Sequence, residues 1–371
     1  MRNSCKSWFA ALLALFFASP PGLAQFKAAR PGYRYEFPRD YFHHPDYQTE
    51  WWYYTGNLQT TDGRKFGFEL TFFREGVNRN PANRSTWDIR DVYLAHFAVS
   101  DLDGKKFFHT ERTNRSGPGI AGADATIQKV WNGNWSVVWA EGAENLTAIA
   151  DQFAISLSLH PEKPPVIHGE NGVSQKSAGD GGHASHYFSE SRLRTSGSLE
   201  IASAKYKVYG LAWMDHEFFT QQLAPDQVGW DWLSLQLDDH TELMLFHIRR
   251  KDGAIDPFSA GTFVDAQGRA HHLRVNEFEL EPADSAQTGG TWTSHQTHSV
   301  YPVRWKIRVP SLGITLEAST PLPSQELTSN SGIVPNYWEG AIFLSGFKGS
   351  TALHGSGYLE MTGYDLPIRR P

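Results

Sequence analysis

The chain has a single cysteine among its 371 residues, Cys5, and it lies inside an N-terminal apolar stretch. Past that stretch there is no thiol, which excludes disulfides, Cys-ligated metal and cysteine nucleophiles there. A basic stripe is also lacking. Lys and Arg number 34 against 40 Asp and Glu, a formal net charge of −6, and they are scattered. That argues against a nucleic-acid partner. No second hydrophobic run is long enough to cross a bilayer as a helix, and a 3.6-residue apolar period is almost absent. His-Glu-x-x-His, Gly-x-Ser-x-Gly and phosphate-cradling glycine loops do not occur. His-x-Glu occurs at His109, His168 and His240, but no Cys-x-x-Cys completes a deaminase-type site. Neither a metal nor a cofactor is expected.

The first 24 residues read as a secretory signal. Arg2 and Lys6 form a basic region before the apolar run WFAALLALFFA (8–18), and Gly22-Leu23-Ala24 offers small residues for cleavage before Gln25. Its removal takes away two basic and no acidic side chains. Retention as an anchor is the other reading. A secreted or periplasmic location is expected. A Pro-rich leader, 25–45, follows.

What the chain has in quantity is aromatic: 13 Trp, 14 Tyr and 23 Phe, with 33 Gly. Short runs such as WWYYTGNL, KFGFELTFFR, VYLAHFAVSD and WDWLSLQL alternate between faces and are separated by turns at Asp62-Gly63, Asp103-Gly104, Asp252-Gly253 and Gln267-Gly268. This spacing predicts an all-β chain of barrels or sandwiches. Two halves of similar strand content give an N-terminal domain over 46–225 and a C-terminal one over 226–371. The stretch 162–186, rich in Pro, Gly, Ser and His, reads as a long loop between strands.

Ionisable groups concentrate at LAWMDHEFFTQQLAPDQVGWDWLSLQL (211–237). Strand alternation puts Trp213, Asp215 and Glu217 on one face, and Met214, His216 and Phe218 on the other. An acid or imidazole among such neighbours must be paired, hydrogen-bonded or functional. Asp215, His216, Glu217 and Asp231 are the candidate acid/base groups. They alternate faces, so no more than two of the three at 215–217 can reach one ion. Candidate ligand-binding residues are Glu50, Trp52 and Tyr54 on the opening strand, Arg74, His96, Trp213, Trp230, Trp232, His247 and Trp338. Glu50, Trp52, His216 and Trp232 are expected to approach one cavity. For most of these a packing role is the competing explanation.

The runs EWWYYTGNL, FGFELTFFR, VYLAHFAVSD, GLAWMDHEFFT, GWDWLSLQLDD, YPVRWKIRVP, YWEGAIFLSG and GYLEMTGY resemble the AttH-type secreted proteins. These are often termed predicted hydrolases and are grouped with the carotenoid 1,2-hydratases (hydroxyneurosporene synthases). The resemblance spans residues 40–365. It implies two consecutive lipocalin-like β-barrel domains, an elongated apolar (lipid- or isoprenoid-like) ligand and acid/base chemistry such as hydration, isomerisation or hydrolysis. Asp215, His216 and Trp230–Trp232 match the Asp-His pair and aromatic-acid strand of the hydratases, while Glu217-Phe218-Phe219 departs from their Asn-containing segment. The other function class it leaves open is a non-catalytic lipid-binding accessory of a membrane export complex.

Overall fold

The computed structural model describes residues 26–77, 85, 87–179, 182–283, 290–329 and 335–368; the signal-like stretch and its cleavage site lie outside them. The fold is nearly all-β, 61% strand and 3% helix, with one nearly closed barrel and a second, curled half-barrel sheet. Among the described residues helix is confined to short turns such as Arg39–Tyr41 and Val275–Glu277. The second of these turns separates the strands Ala270–Arg274 and Glu279–Pro282. No helix among the described residues is long and apolar enough to cross a membrane.

The strands of the first sheet run from Thr49 to Phe219, and those of the second from Gln227 to Thr362. The opening strand, Thr49–Gln59, pairs on one side with Lys65–Gly76, across the Asp62-Gly63 turn. Gly63 has φ +87°, which its missing Cβ permits. On the other side it pairs with Ala204–Phe219, the last strand of the sheet. This long-range pairing curls the sheet. Arg112 and Asn114 of the edge strand Lys106–Arg115 reach Asn132 of Lys129–Asn132, next to the opposite edge strand Ala121–Asp124, with hydrogen bonds of 3.0 and 2.6 Å.

Alternation along Ala204–Phe219 sets what each side sees. Ala212 and Met214 join Trp52, Tyr54, Phe68, Phe72 and Phe188 in the barrel core. Trp213 faces outward and joins Tyr53, Tyr187, Trp232, Met244, Phe246 and Tyr358 in a cluster shared with the second sheet. The 162–186 stretch is not one open loop: Val166–Ile167 and Ser174–Gln175 pair with the 18-residue strand Ala184–Ile201. The leader also docks: its Tyr33, Tyr35, Phe37 and Tyr41, with Tyr47 just after it, pack on His186, Phe188 and Phe218 at one end of the barrel.

Candidate functional site

Register places Glu50 opposite Arg74 on one neighbour strand and Phe218 on the other, and Trp52 opposite His216. All of these side chains except Phe218's belong to a sealed polar centre: Glu50, Arg74, His216 and Trp52 are 0% exposed. Glu50 Oε1 accepts from His216 Nε2 at 2.8 Å and from His44 Nδ1 at 2.7 Å. Glu50 Oε2 accepts from Arg74 Nε and from the His44 backbone N–H, both at 2.9 Å. Arg74 is further held by Asp91 and by the carbonyls of His44 and Tyr47. His44 Nε2 meets Asp40 at 3.2 Å.

Counting protons fixes the charges. His44 has a carboxylate at each ring nitrogen, so both nitrogens donate and the ring is an imidazolium. Burial works against that charge, but Glu50 and Asp40 hold its pKa above the ordinary value. Burial would raise the Glu50 carboxyl, yet His44 and Arg74 outweigh it and keep it well below the usual range. For His216 burial dominates over its bond to Glu50, so the pKa falls and the ring is neutral. Its Nε2 must carry the proton given to Glu50. Nδ1 then holds a lone pair, and this atom is buried with no hydrogen-bond partner. The ring sits among Trp52, Phe188 and Phe218, at centroid distances of 4.9, 5.2 and 5.7 Å. A carboxylate-oriented neutral imidazole with a free nitrogen in apolar surroundings can accept a proton as a general base does.

Ligand atoms, one each from His44, Glu50 and His216, lie within 4.8 Å of one another and so can surround a divalent cation. Two of the three, His44 and Glu50, lie outside residues 215–217. In the hydrogen-bonded arrangement the His44 Nδ1 and His216 Nε2 atoms carry protons that they donate to Glu50, and the Arg74 and His44 charges already neutralise Glu50.

Asp215 does not touch this centre. It projects from the other face of its strand, where Tyr187, Ser189 and Trp213 donate to it. Ser189 also meets His168 Nε2 at 2.6 Å, and Trp232 Nε1 reaches the Tyr187 hydroxyl at 3.1 Å. Burial raises the Asp215 pKa to about 7. The expected Asp215–His216 pair is therefore two separate networks, back to back through one strand, and Trp232 belongs with Asp215 rather than with Glu50, Trp52 and His216. Glu217 shares the Asp215 face, bonded by Ser185 and Gln222 with Lys176 at 3.5 Å. His96 hydrogen-bonds Tyr337 of the second sheet at 2.6 Å, and burial lowers its pKa to about 3. Trp230 borders Glu360.

The remaining candidates lie in the second sheet. Asp231 is opposite His247 and 3.2 Å from Arg249. His247 stacks on Phe278 at 5.4 Å, and Trp338 donates to the Pro323 carbonyl at 2.7 Å. These side chains are positioned apart from His216. Tyr54 does line the first barrel, donating to Glu144 at 2.5 Å.

An AttH-like family model matches residues 28–364. The chain belongs to the AttH-like family. An AttH protein of Nitrosomonas europaea shares 32% identity and a TM-score of 0.80, over 91% of this chain and 100% of that one. Kievitone hydratase of Nectria haematococca shares the fold at 18% identity and TM-score 0.64, over 86% of this chain and 90% of that one. Curated proteins give no significant match. Within this AttH-like chain, sequence reading missed His44 and Asp40, because the leader looked irregular. The adjacent His43-His44 pair six residues before Glu50 was the available signal.

Proposed function

We propose that this AttH-like protein is an enzyme acting on an apolar, lipid- or isoprenoid-like molecule by acid/base chemistry inside the first barrel, with hydration of a C=C bond as the first reaction to test. The observation that carries this reading is His216: neutral, oriented by Glu50, with Nδ1 buried and unpartnered. Such a nitrogen takes a proton from a water attacking a carbocation, and the faces of Trp52 and Phe188 stabilise positive charge beside it. The fold shared with kievitone hydratase supports the same class of reaction. Arg74 and His44 act on Glu50 and set its charge, and the leader stacks His44 on Phe218 at 3.6 Å over the centre. The signal-like N-terminus supports an exported location.

The test is turnover of a panel of acyclic isoprenoid alkenes and alcohols by the purified chain in ¹⁸O-labelled water. The expected product is heavier by one labelled water, and His216→Gln abolishes it while the melting curve stays close to that of wild type. Absence of any labelled product, or equal product from His216→Gln, contradicts the reading.

A further inference from the structure

Hydration needs a proton donor as well as a base, and Glu50 cannot be one, since four N–H groups hold it as a carboxylate. The next inward-facing row of the barrel supplies another acid. Phe188 is opposite His216, and two residues further along the strands Glu190 is opposite Met214. Two residues along a strand span about 6.6 Å, so the two groups stand on adjacent inward rows of the barrel. Glu144, on Ala143–Ile149, belongs to the same interior, beside Leu146 and Ala148 of the core.

Glu144 and Glu190 are each 2% exposed. Tyr54 donates to one oxygen of Glu144, and Tyr41 to one oxygen of Glu190. The other oxygen of each, Glu144 Oε1 and Glu190 Oε2, is buried without a partner, and so is Trp139 Nε1 on the strand next to Glu144. Among the described residues the charged neighbour that acts on Glu144 is Glu190, and the groups acting most strongly on the two acids include no cation. Burial raises both carboxyls, Glu190 to about 7. Two such acids cannot both ionise.

We propose that Glu144 and Glu190 share one proton and that this pair is the proton donor for the reaction at His216. This rests on the function proposed above. In the step, the carboxyl O–H bond breaks as a C–H bond forms at one alkene carbon. A water oxygen bonds to the resulting cationic carbon, and its surplus proton passes to His216 Nδ1. That proton returns to the carboxyl pair through solvent, so the net change is addition of one water. The two Tyr hydroxyls position the acids and are not themselves the donor.

Two measurements decide it. The first is infrared spectroscopy of the full chain near neutral pH in D₂O, comparing wild type with Glu144→Gln, Glu190→Gln and the double variant; Gln keeps an acceptor for each Tyr hydroxyl. A shared proton predicts that each single variant weakens the protonated-carboxyl band and that the double variant loses no more than one proton's worth. A band unchanged in all three variants overturns the pair. The second is turnover on the panel above. Glu190→Gln is expected to lower kcat on the order of 100-fold and to remove a limb of the pH profile near neutrality, with KM nearly unchanged. Turnover kept in the double variant but lost in His216→Gln overturns the donor role alone. No turnover by wild type sinks the proposed function and the donor role together, and the infrared comparison still decides the shared proton.

Discussion

Two groups of buried acids in this molecule have opposite fates. Glu50, in the barrel, meets Arg74, His44 and His216 and is ionised. Between the sheets, Glu69 and Glu339 are 1% and 2% exposed, with Glu360 beside them. Tyr53 and Tyr337 face Glu339, Thr71 donates to Glu69, and the acids' electrostatic neighbours are one another together with Asp215 and Glu217. Burial raises all three, Glu69 and Glu360 to about 8. Equal burial thus gives a charged centre in one place and a protonated one in the other. The partners decide: cations and N–H donors favour the carboxylate, whereas hydroxyls and other acids do not offset desolvation. Glu144 and Glu190 follow the second pattern inside the first barrel.

The largest contrast is expected from removing a partner. Arg74→Ala leaves Glu50 and Asp91 with one cation fewer in a sealed site and should cost about 3–5 kcal/mol in denaturant unfolding. Glu339→Gln removes no charge at neutral pH and should cost no more than about 1 kcal/mol. Similar losses for both would erase the distinction between the two groups.

Next comes pH. A carboxyl whose folded pKa is raised contributes stability that is full below its unfolded value, near 4.5, and lost as pH rises through about 8. Glu50, with its pKa depressed, works the other way: its contribution is present above about 4.5 and lost as pH falls through its folded value. The melting temperature should therefore drop between pH 5 and 9, and the triple variant Glu69→Gln, Glu339→Gln, Glu360→Gln should flatten that decline while leaving the acid side unchanged. A flat wild-type profile, or an unaltered slope in the triple variant, would show that the interface acids are ionised.

The smallest effect sharpens the boundary between the two faces of Ala204–Phe219. Trp232→Phe removes the indole N–H that reaches Tyr187 and should cost about 0.5–1.5 kcal/mol in stability, without changing turnover by His216. Loss of turnover in that variant would tie Trp232 to the barrel site after all.

Much of this was legible in the sequence. Period-two alternation around Asp62-Gly63 and Asp103-Gly104 gave the hairpins, and the same alternation separated His216 from Asp215 and Glu217. Long-range pairing was not legible. That Glu50 meets Phe218, 168 residues away, comes from the closure of a curled sheet, and no local pattern states which strands close it. The same limit led Trp232 to be grouped with Glu50: both lie in aromatic-acid runs, but register sends one inward and the other to the interface. Glu144 and Glu190 stand in unremarkable polar strands, and only burial marks them.

The central claim is the state of His216, and ¹⁵N NMR of histidine-labelled protein tests it most directly. Neutral at pH 7, protonated on Nε2 and with a bare Nδ1, its ring should stay so until the pH is below the ordinary 6.5, and Glu50→Gln should change the Nε2 signal. An imidazolium at pH 7, or a neutral ring protonated on Nδ1, would contradict the account.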